Sequence, residues 1–239
     1  MLNIKKEADV LEVGDITVAT CPICRSYVSH IYYMQDAHSK KRSKWFSCHC
    51  GVVFNAKRPE YTPKKQEKFD KKSRDSWAYP IRLYAPIIEE LIYGRRVLLI
   101  DLPNSYQEDA FKERGWVPTV ISNFESHQFL ESQKFNLIWF YGSFERLSDP
   151  IASLELTKTL LAEDGILFLG TPDTDFINTR SSSCFIHWKH DENHIMWNRR
   201  SLTRHLDSLG FQTILSRQNY EHRFPIWDDL HLIAQKKFF

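Results

Sequence analysis

Glycine is scarce in this chain of 239 residues. It has 8 glycines, whereas an average composition of about 7% would give roughly 17. This scarcity excludes collagen-like and flexible low-complexity chains, and it argues against an enzyme with several glycine-rich loops. No apolar run approaches the roughly 18 residues that cross a bilayer, so we expect a globular protein that has no membrane partner.

We also expect no secretory signal, because the first fifteen residues contain no apolar core. The predicted compartment is therefore the cytoplasm, where thiols stay reduced. The net charge of +2 implies no partner by itself, but residues 1–80 carry +6 and residues 81–239 carry −4. The basic stretch 40–74 is able to contact the phosphates of a nucleic acid. A solvated basic linker is the favoured interpretation.

Cysteine is concentrated near the start, where four of the five cysteines lie within thirty residues. They form two close pairs, Cys21 with Cys24 and Cys48 with Cys50. Two such pairs separated by tens of residues are typical of a zinc ribbon, in which four thiolates surround the ion as a tetrahedron. Four protein ligands leave no open position for chemistry, so the sequence predicts a structural zinc site.

The second cysteine pair is irregular, because one residue separates its members instead of two. This spacing strains the turn, so His49 or His38 is an alternative ligand in place of one thiolate. Four free, reduced thiols on a small sheet are the alternative to a zinc site. The pattern of two pairs favours zinc.

After the cysteines, predicted strands alternate with predicted helices. Pro86 is expected to start one helix, and Ser105–Glu108 has the pattern of a capping box for another. Asp149 followed by Pro150 predicts the start of a third. The strands are expected at Arg96–Asp101, Thr119–Ile121, Phe135–Tyr141, Gly165–Gly170, Phe211–Ser216 and Leu230–Gln235. This order predicts an α/β fold, a mostly parallel sheet with helices on both faces and ligands at the carboxyl ends of its strands.

Three segments follow from these patterns. Residues 1–56 are predicted to form a small β zinc ribbon, and residues 57–85 a basic linker and entry segment. Residues 86–239 are predicted to form the α/β domain.

The order of several short motifs resembles that of class I S-adenosylmethionine-dependent methyltransferases, in a subgroup that begins with a zinc ribbon. Phe144–Pro150 reads FERLSDP and is similar to the family's LEHLxDP, and Leu160–Pro172 is similar to its LLKPGGxLxxxTPN. The resemblance implies a Rossmann-like sheet of seven strands with the last strand antiparallel. It also implies transfer of a methyl group from S-adenosylmethionine to a small-molecule acceptor, a sugar or another biosynthetic intermediate.

The departures from this family fall on the residues that would hold the cofactor. In the gapless alignment, Leu99 takes the place of the family's first acidic residue, and the three glycine positions of its GxGxG loop are Asp101, Pro103 and Ser105. Ser122 takes the place of the acidic residue that holds the ribose. Proline also removes an amide donor from this loop.

The next segment is short as well, since only twelve residues separate Ser122 from Phe135. That leaves too little chain for the family's next helix, third strand and adenine-contacting loop. The elements that would contact the methionine, ribose and adenine parts of the cofactor are therefore all altered.

Two interpretations of these departures compete. In one, the pocket is rebuilt, Asp101, Ser105 and Ser122 supply polar cofactor contacts, and Tyr106 or Phe124 stacks on the adenine. In the other, the fold is kept without the cofactor site, and the protein is a non-catalytic scaffold for a protein partner. The coordinated loss of several contacts favours the second interpretation.

Two histidines are candidates for acid–base chemistry. His187 and His190 lie in the loop where the family places residues that face the substrate, and either imidazole is a candidate general base for a hydroxyl acceptor. Metal binding is another interpretation, and a polar surface loop is the favoured one. Glu145 stands where the family has Glu-His, with Arg146 in place of the histidine, and we expect Glu145 to cap or pair at the helix entry.

Overall fold

The computed structural model describes most of the chain. The described residues are 10–13, 16–35, 42–55, 71–102, 105–122, 124, 133–175, 192–218 and 229–237.

The first part of the described chain contains short strands, and the second part alternates strands with helices. The strands are β1 Val10–Val13, β2 Ile16–Thr20, β3 Tyr27–Val28, β4 Ile31–Gln35, β5 Arg42–Ser47, β6 Val52–Asn55, β7 Arg96–Ile100, β8 Val117–Ile121, β9 Phe135–Tyr141, β10 Leu161–Pro172, β11 Ile195–Trp197, β12 Phe211–Gln218 and β13 Asp229–Lys236. The helices are α1 Lys71–Glu89, α2 Tyr106–Glu113, α3 Pro150–Leu160 and α4 Arg199–Ser208, and a 3-10 turn covers Phe144–Arg146.

The central sheet has six strands in the order β12-β13-β10-β9-β7-β8. The four strands from β10 to β8 are parallel to one another, and β13 runs antiparallel to both β10 and β12. The predicted parallel sheet with a final antiparallel strand is confirmed. The family's pattern implies seven strands, and the described residues supply six, with β8 at the edge.

Helices cover both faces of this sheet. Successive strand side chains point to opposite faces, and β7 follows this rule with four buried residues. Leu98 and Ile100 pack in the cluster that contains α3, α4 and the cysteine-rich segment. Val97 and Leu99 pack in the cluster that contains α1 and α2. The core therefore has two layers, one on each face of the sheet.

The cysteine-rich segment lies in two small antiparallel sheets, β1-β2-β3 and β11-β6-β5-β4. Strand β11 comes from late in the sequence and pairs with β6, with Ile195 opposite Phe54. Phe46 and Phe54 of this segment belong to the same buried cluster as Leu98 and Ile100 of the central sheet. The small sheets and the central sheet thus share one hydrophobic core.

One predicted helix start is wrong, and one predicted capping box is not formed. The helix expected to begin at Pro86 begins at Lys71, so Pro80 and Pro86 both lie inside α1. Proline is costly inside a helix, but Ile81 and Ile88 pack against the sheet, and such packing stabilises a helix more than propensity does. Ser105 precedes α2, but its side chain makes no capping hydrogen bond, so the capping box is not formed.

The start predicted for α3 is confirmed. The carboxylate of Asp149 accepts a hydrogen bond of 3.0 Å from the Ala152 amide, with Pro150 at the first helical position. The helix ends at Leu160, before the expected Gly165, because Leu161 already pairs with Phe135 in the parallel ladder.

Within the described ranges, every helix is too short or too polar to span a membrane.

Candidate functional site

The four cysteines of the first segment converge on one point. The Sγ atoms of Cys21 and Cys50 are 3.8 Å apart and those of Cys24 and Cys48 are 3.4 Å apart, and all four sulfurs lie within 4.8 Å of one another. Four sulfurs placed tetrahedrally about 2.3 Å from a zinc ion are separated by roughly 3.8 Å. The donor set and its spacing therefore fit a tetrahedral metal ion.

Two backbone turns bring these cysteines together. In the first turn the Arg25 amide donates to the Cys21 carbonyl, and Arg25 adopts a φ of 63°. In the second turn Gly51 donates to the Cys48 carbonyl and has a φ of 91°. A Cβ on Gly51 would lie 2.6 Å from the Asn198 Oδ1, so glycine is required there by both conformation and space.

The thiols interact strongly with one another. The hydrogen bond between the Cys21 and Cys50 thiols lowers the pKa of Cys21 to about 5 and raises the pKa of Cys50. Burial raises the pKa of Cys48 to about 12. His49 is exposed, and its Nδ1 lies 3.7 Å from the Cys48 sulfur at the margin of the cluster. All four thiols fit a metal without a histidine, and His38 lies outside the described residues.

A buried ion pair joins the carboxyl ends of β7 and β9. The guanidinium of Arg146 pairs with the carboxylate of Asp101 and also donates to the Asp101 carbonyl over 3.1 Å. The side chains are 5% and 8% exposed, respectively. The edge of the sheet where ligands bind in this class of fold therefore carries an internal pair of opposite charges.

Backbone geometry orients the carboxylate of this pair. Asp101 has a φ of 53°, a left-handed conformation that glycine adopts readily and most other residues avoid. Its amide donates to the Ile121 carbonyl over 2.7 Å, which ties the turn to the end of β8. On the other side, the 3-10 turn after β9 positions Arg146, and the Glu145 carbonyl accepts from the His194 amide over 2.8 Å.

The other predicted cofactor residues lie along the same edge. Ser105 and Ser122 are exposed, and Tyr106 is half-buried at the first position of α2. Phe124 is 1% exposed, and its ring packs edge-on against Phe140 with centroids 5.4 Å apart. Phe124 is thus part of the core. Pro103, His187 and His190 lie outside the described residues.

Two further polar clusters on this edge were missed by sequence reasoning. In the first, Gln218 donates to Asp173 over 2.6 Å and to Asp175 over 3.1 Å. Asp173 is fully buried, and burial raises the pKa of its carboxyl to about 6. Asp173 directly follows the Thr-Pro pair that ends β10. This position after the end of a strand is the sequence signal that places Asp173 on the ligand edge.

The second cluster is buried between α1 and the sheet. The Tyr84 hydroxyl lies 2.9 Å from His231 Nδ1, and the Asp229 carboxylate lies 4.0 Å from His231 Nε2. Burial lowers the pKa of His231 to about 3, so the imidazole is neutral and forms no ion pair with Asp229. Burial also raises the pKa of Tyr84 to about 12.

The Asp101–Arg146 pair was missed too, although a signal for it exists. Asp101 directly follows β7, and Arg146 lies in the 3-10 turn after β9, its neighbour in the sheet. The carboxyl ends of parallel neighbours meet at one edge, so the pairing can be inferred once the strand order is known.

The fold, with its parallel sheet, antiparallel last strand and covered faces, defines the methyltransferase class. The chain belongs to this class: its residues 2–216 match the family of methyltransferase domains.

Individual relatives are distant. The chain is similar to the structure of 1,6-didemethyltoxoflavin-N1-methyltransferase from Burkholderia thailandensis, which holds 1,6-didemethyltoxoflavin and S-adenosylhomocysteine. The TM-score is 0.55 at 13% identity, covering 87% of this chain and 100% of that one. It is also similar to an S-adenosylmethionine-dependent methyltransferase from Archaeoglobus fulgidus, with a TM-score of 0.51 at 16% identity, covering 68% of this chain and 94% of that one. Among curated proteins, none matches the sequence.

Proposed function

We propose that this protein is a non-catalytic member of the methyltransferase domain family, a binding protein or scaffold in which the cofactor edge is closed by its own side chains. The single observation that carries the proposal is the buried Asp101–Arg146 ion pair across the ends of β7 and β9. In the family a glycine-rich turn leaves this space open, so that the backbone can approach the cofactor closely.

The residues present do not fit S-adenosylmethionine in that position. Asp101 stands at the first glycine position and turns its carboxylate inward, where the guanidinium of Arg146 meets it. Admitting the methionine part of the cofactor there requires this pair to separate and both charges to find new partners, which is costly for buried groups. Leu99, at the acidic position, is fully buried among apolar side chains.

Native mass spectrometry of the purified chain tests this proposal. We expect the mass of the chain with one zinc ion and no bound nucleoside. Titration calorimetry with S-adenosylhomocysteine should then give no saturable heat up to about 1 mM, which is weaker than any useful cofactor affinity. Saturable binding in the micromolar range, or methyl transfer by the wild-type protein, would overturn the proposal.

Methyl transfer in a rebuilt pocket is the second candidate function, and one observation favours it. The turn at Asp101 keeps a left-handed backbone with a φ of 53°, as a glycine turn does, and the half-buried Tyr106 follows it on the same edge. In that case the acceptor is a small molecule, and His187 or His190 is the proposed base. Loss of activity in a His190→Gln variant, with affinity for the cofactor unchanged, would support this candidate.

We further propose that the cysteine cluster holds a structural zinc ion, with Cys21, Cys24, Cys48 and Cys50 as ligands. Thiolates are the preferred zinc donors, and a zinc ion stabilises the ionised form of all four. Reduced thiols are expected in the cytoplasm, which is the proposed compartment.

A further inference from the structure

A groove of about 880 Å³ lies between α4 and β12. Strand β12 is at the edge of the central sheet, so nothing in the sheet covers this side of it. The volume is within the range of small-molecule sites, roughly 300–1,000 Å³. None of the residues considered above for the cofactor or the metal lines it.

Arginine side chains dominate one wall of the groove. Arg199, Arg200 and Arg204 all line it, and Arg200 and Arg204, four positions apart, share a face of α4. Arg204 donates to the Cys50 carbonyl over 3.3 Å and is thereby held in place. Arg199 and Arg200 are exposed, and among the described residues no hydrogen bond or ion pair engages their guanidinium groups.

The acidic groups nearby do not cancel this positive charge. Asp207 lines the groove, but it pairs with the Lys237 ammonium over 2.5 Å. Asp173 is close enough to feel the charge of Arg199, but it is fully buried and hydrogen-bonded to Gln218. The groove therefore has a net positive charge, because three arginines and one aspartate line it.

The remaining lining suits a phosphate that is attached to a larger group. Thr203 and Thr213 also line the groove, and a threonine hydroxyl is able to donate to a phosphate oxygen. Ile214 offers an apolar surface that is 42% exposed. The positive end of the α4 dipole lies at Arg199, the first residue of the helix, and favours an anion there.

We propose that the α4–β12 groove binds a small molecule that carries a phosphate or pyrophosphate group, and that the guanidinium groups of Arg199 and Arg200 hold that group. Planar guanidinium groups bind phosphate oxygens through paired hydrogen bonds. Two unengaged arginines in one groove suit a small ligand, whereas a nucleic acid typically engages about six to ten phosphates along a surface. This inference is independent of the proposed function, because it does not involve the ends of β7 and β9.

Titration calorimetry of the zinc-loaded, full-length chain with inorganic pyrophosphate tests the proposal. We expect one site per chain. Arg199→Gln and Arg200→Gln should each weaken binding about tenfold, since each removes a charge-assisted contact. An Arg200→Lys variant keeps the charge without the planar fork and should fall between wild type and Arg200→Gln. Both arginines are exposed, so the thermal unfolding midpoint should not change.

Arg217→Gln is the matched control. Arg217 is exposed on β12 and does not line the groove, so its loss removes the same charge and should leave the affinity unchanged. Equal weakening by Arg217→Gln and Arg200→Gln would overturn the proposal, because it would indicate non-specific attraction. Absence of saturable binding at about 10 mM pyrophosphate, or tight binding of single-stranded RNA alone, would overturn it too. S-adenosylhomocysteine titrated into the same sample tests the proposed function separately.

Discussion

At the scale of single residues, the Asp101–Arg146 pair is the feature that sets this chain apart from a glycine-rich methyltransferase edge. A buried ion pair contributes little net stability compared with apolar groups of the same size, but removing one partner leaves an unpaired buried charge. The pair is therefore not a general source of stability, and we interpret it as the closure of the edge proposed above.

Denaturation by urea in a double-mutant cycle checks this pairing. Arg146→Leu should lower the free energy of unfolding by about 3 kcal/mol, because the buried Asp101 carboxylate loses the opposite charge of Arg146. Adding Asp101→Asn, which tolerates the left-handed backbone, should restore most of the loss. Arg82→Leu, which breaks the exposed pair with Asp75, should change little. Additive effects of the two buried substitutions would contradict the pairing.

His231 gives the molecule a predictable dependence on pH. Burial lowers its pKa from 6.5 to about 3, so between these values the unfolded chain binds a proton that the folded chain does not. Stability should therefore fall as the pH is lowered from about 6.5 towards 4, by up to about 1.4 kcal/mol per pH unit from this residue.

Thermal unfolding across this pH range compares the wild type with His231→Gln, which keeps a hydrogen-bonding partner for Tyr84. The variant should lose less stability on acidification. The raised pKa of Asp173 favours the folded chain on acidification, opposite to the effect of His231. Because Asp173 is present in both proteins, the contribution of His231 is the difference between their losses of stability. Identical slopes would contradict a buried neutral His231, whose surroundings also include Asp229 and Arg217.

At the scale of elements, α2 and α3 begin with different chemistry despite similar sequence signals. Asp149 caps α3 through its carboxylate, while Ser105 makes no capping hydrogen bond. We expect Asp149→Ala to lower the free energy of unfolding by about 1 kcal/mol and Ser105→Ala to leave it nearly unchanged. Urea denaturation of the two variants measures this, and an equal cost for both substitutions would refute the assignment.

The second cysteine turn supports α4 and β11, which come from late in the sequence. The Gly51 carbonyl accepts from the Asn198 amide and from the Ser201 hydroxyl, and β11 pairs with β6. Loss of a metal from the cysteine cluster should therefore loosen these late elements as well.

Hydrogen exchange with and without a zinc chelator measures this coupling. Amides of Ile195–Trp197 should lose protection when the metal is removed, while those of Ile166–Gly170, in the central sheet, should keep theirs. A Cys24→Ser variant should reproduce the effect without chelator. Unchanged protection of Ile195–Trp197 would contradict the proposed structural zinc.

At the scale of the whole molecule, the sequence predicts the architecture better than it predicts the sites. Short apolar runs predict buried strands such as Phe135–Tyr141, and the spacing of the cysteines alone predicts their cluster. Both signals are local in the sequence. The Asp101–Arg146 pair and the pairing of β11 with β6 depend on which strands become neighbours. That is decided by tertiary packing, which no local pattern encodes.

We propose that the protein keeps a methyltransferase fold while an internal ion pair closes its cofactor edge. A crystal structure of the zinc-loaded chain soaked in S-adenosylhomocysteine tests this proposal. We expect Arg146 to remain paired with Asp101 and no adenosyl density to lie across the ends of β7 and β9. An ordered S-adenosylhomocysteine at that edge, with the pair separated, would contradict it.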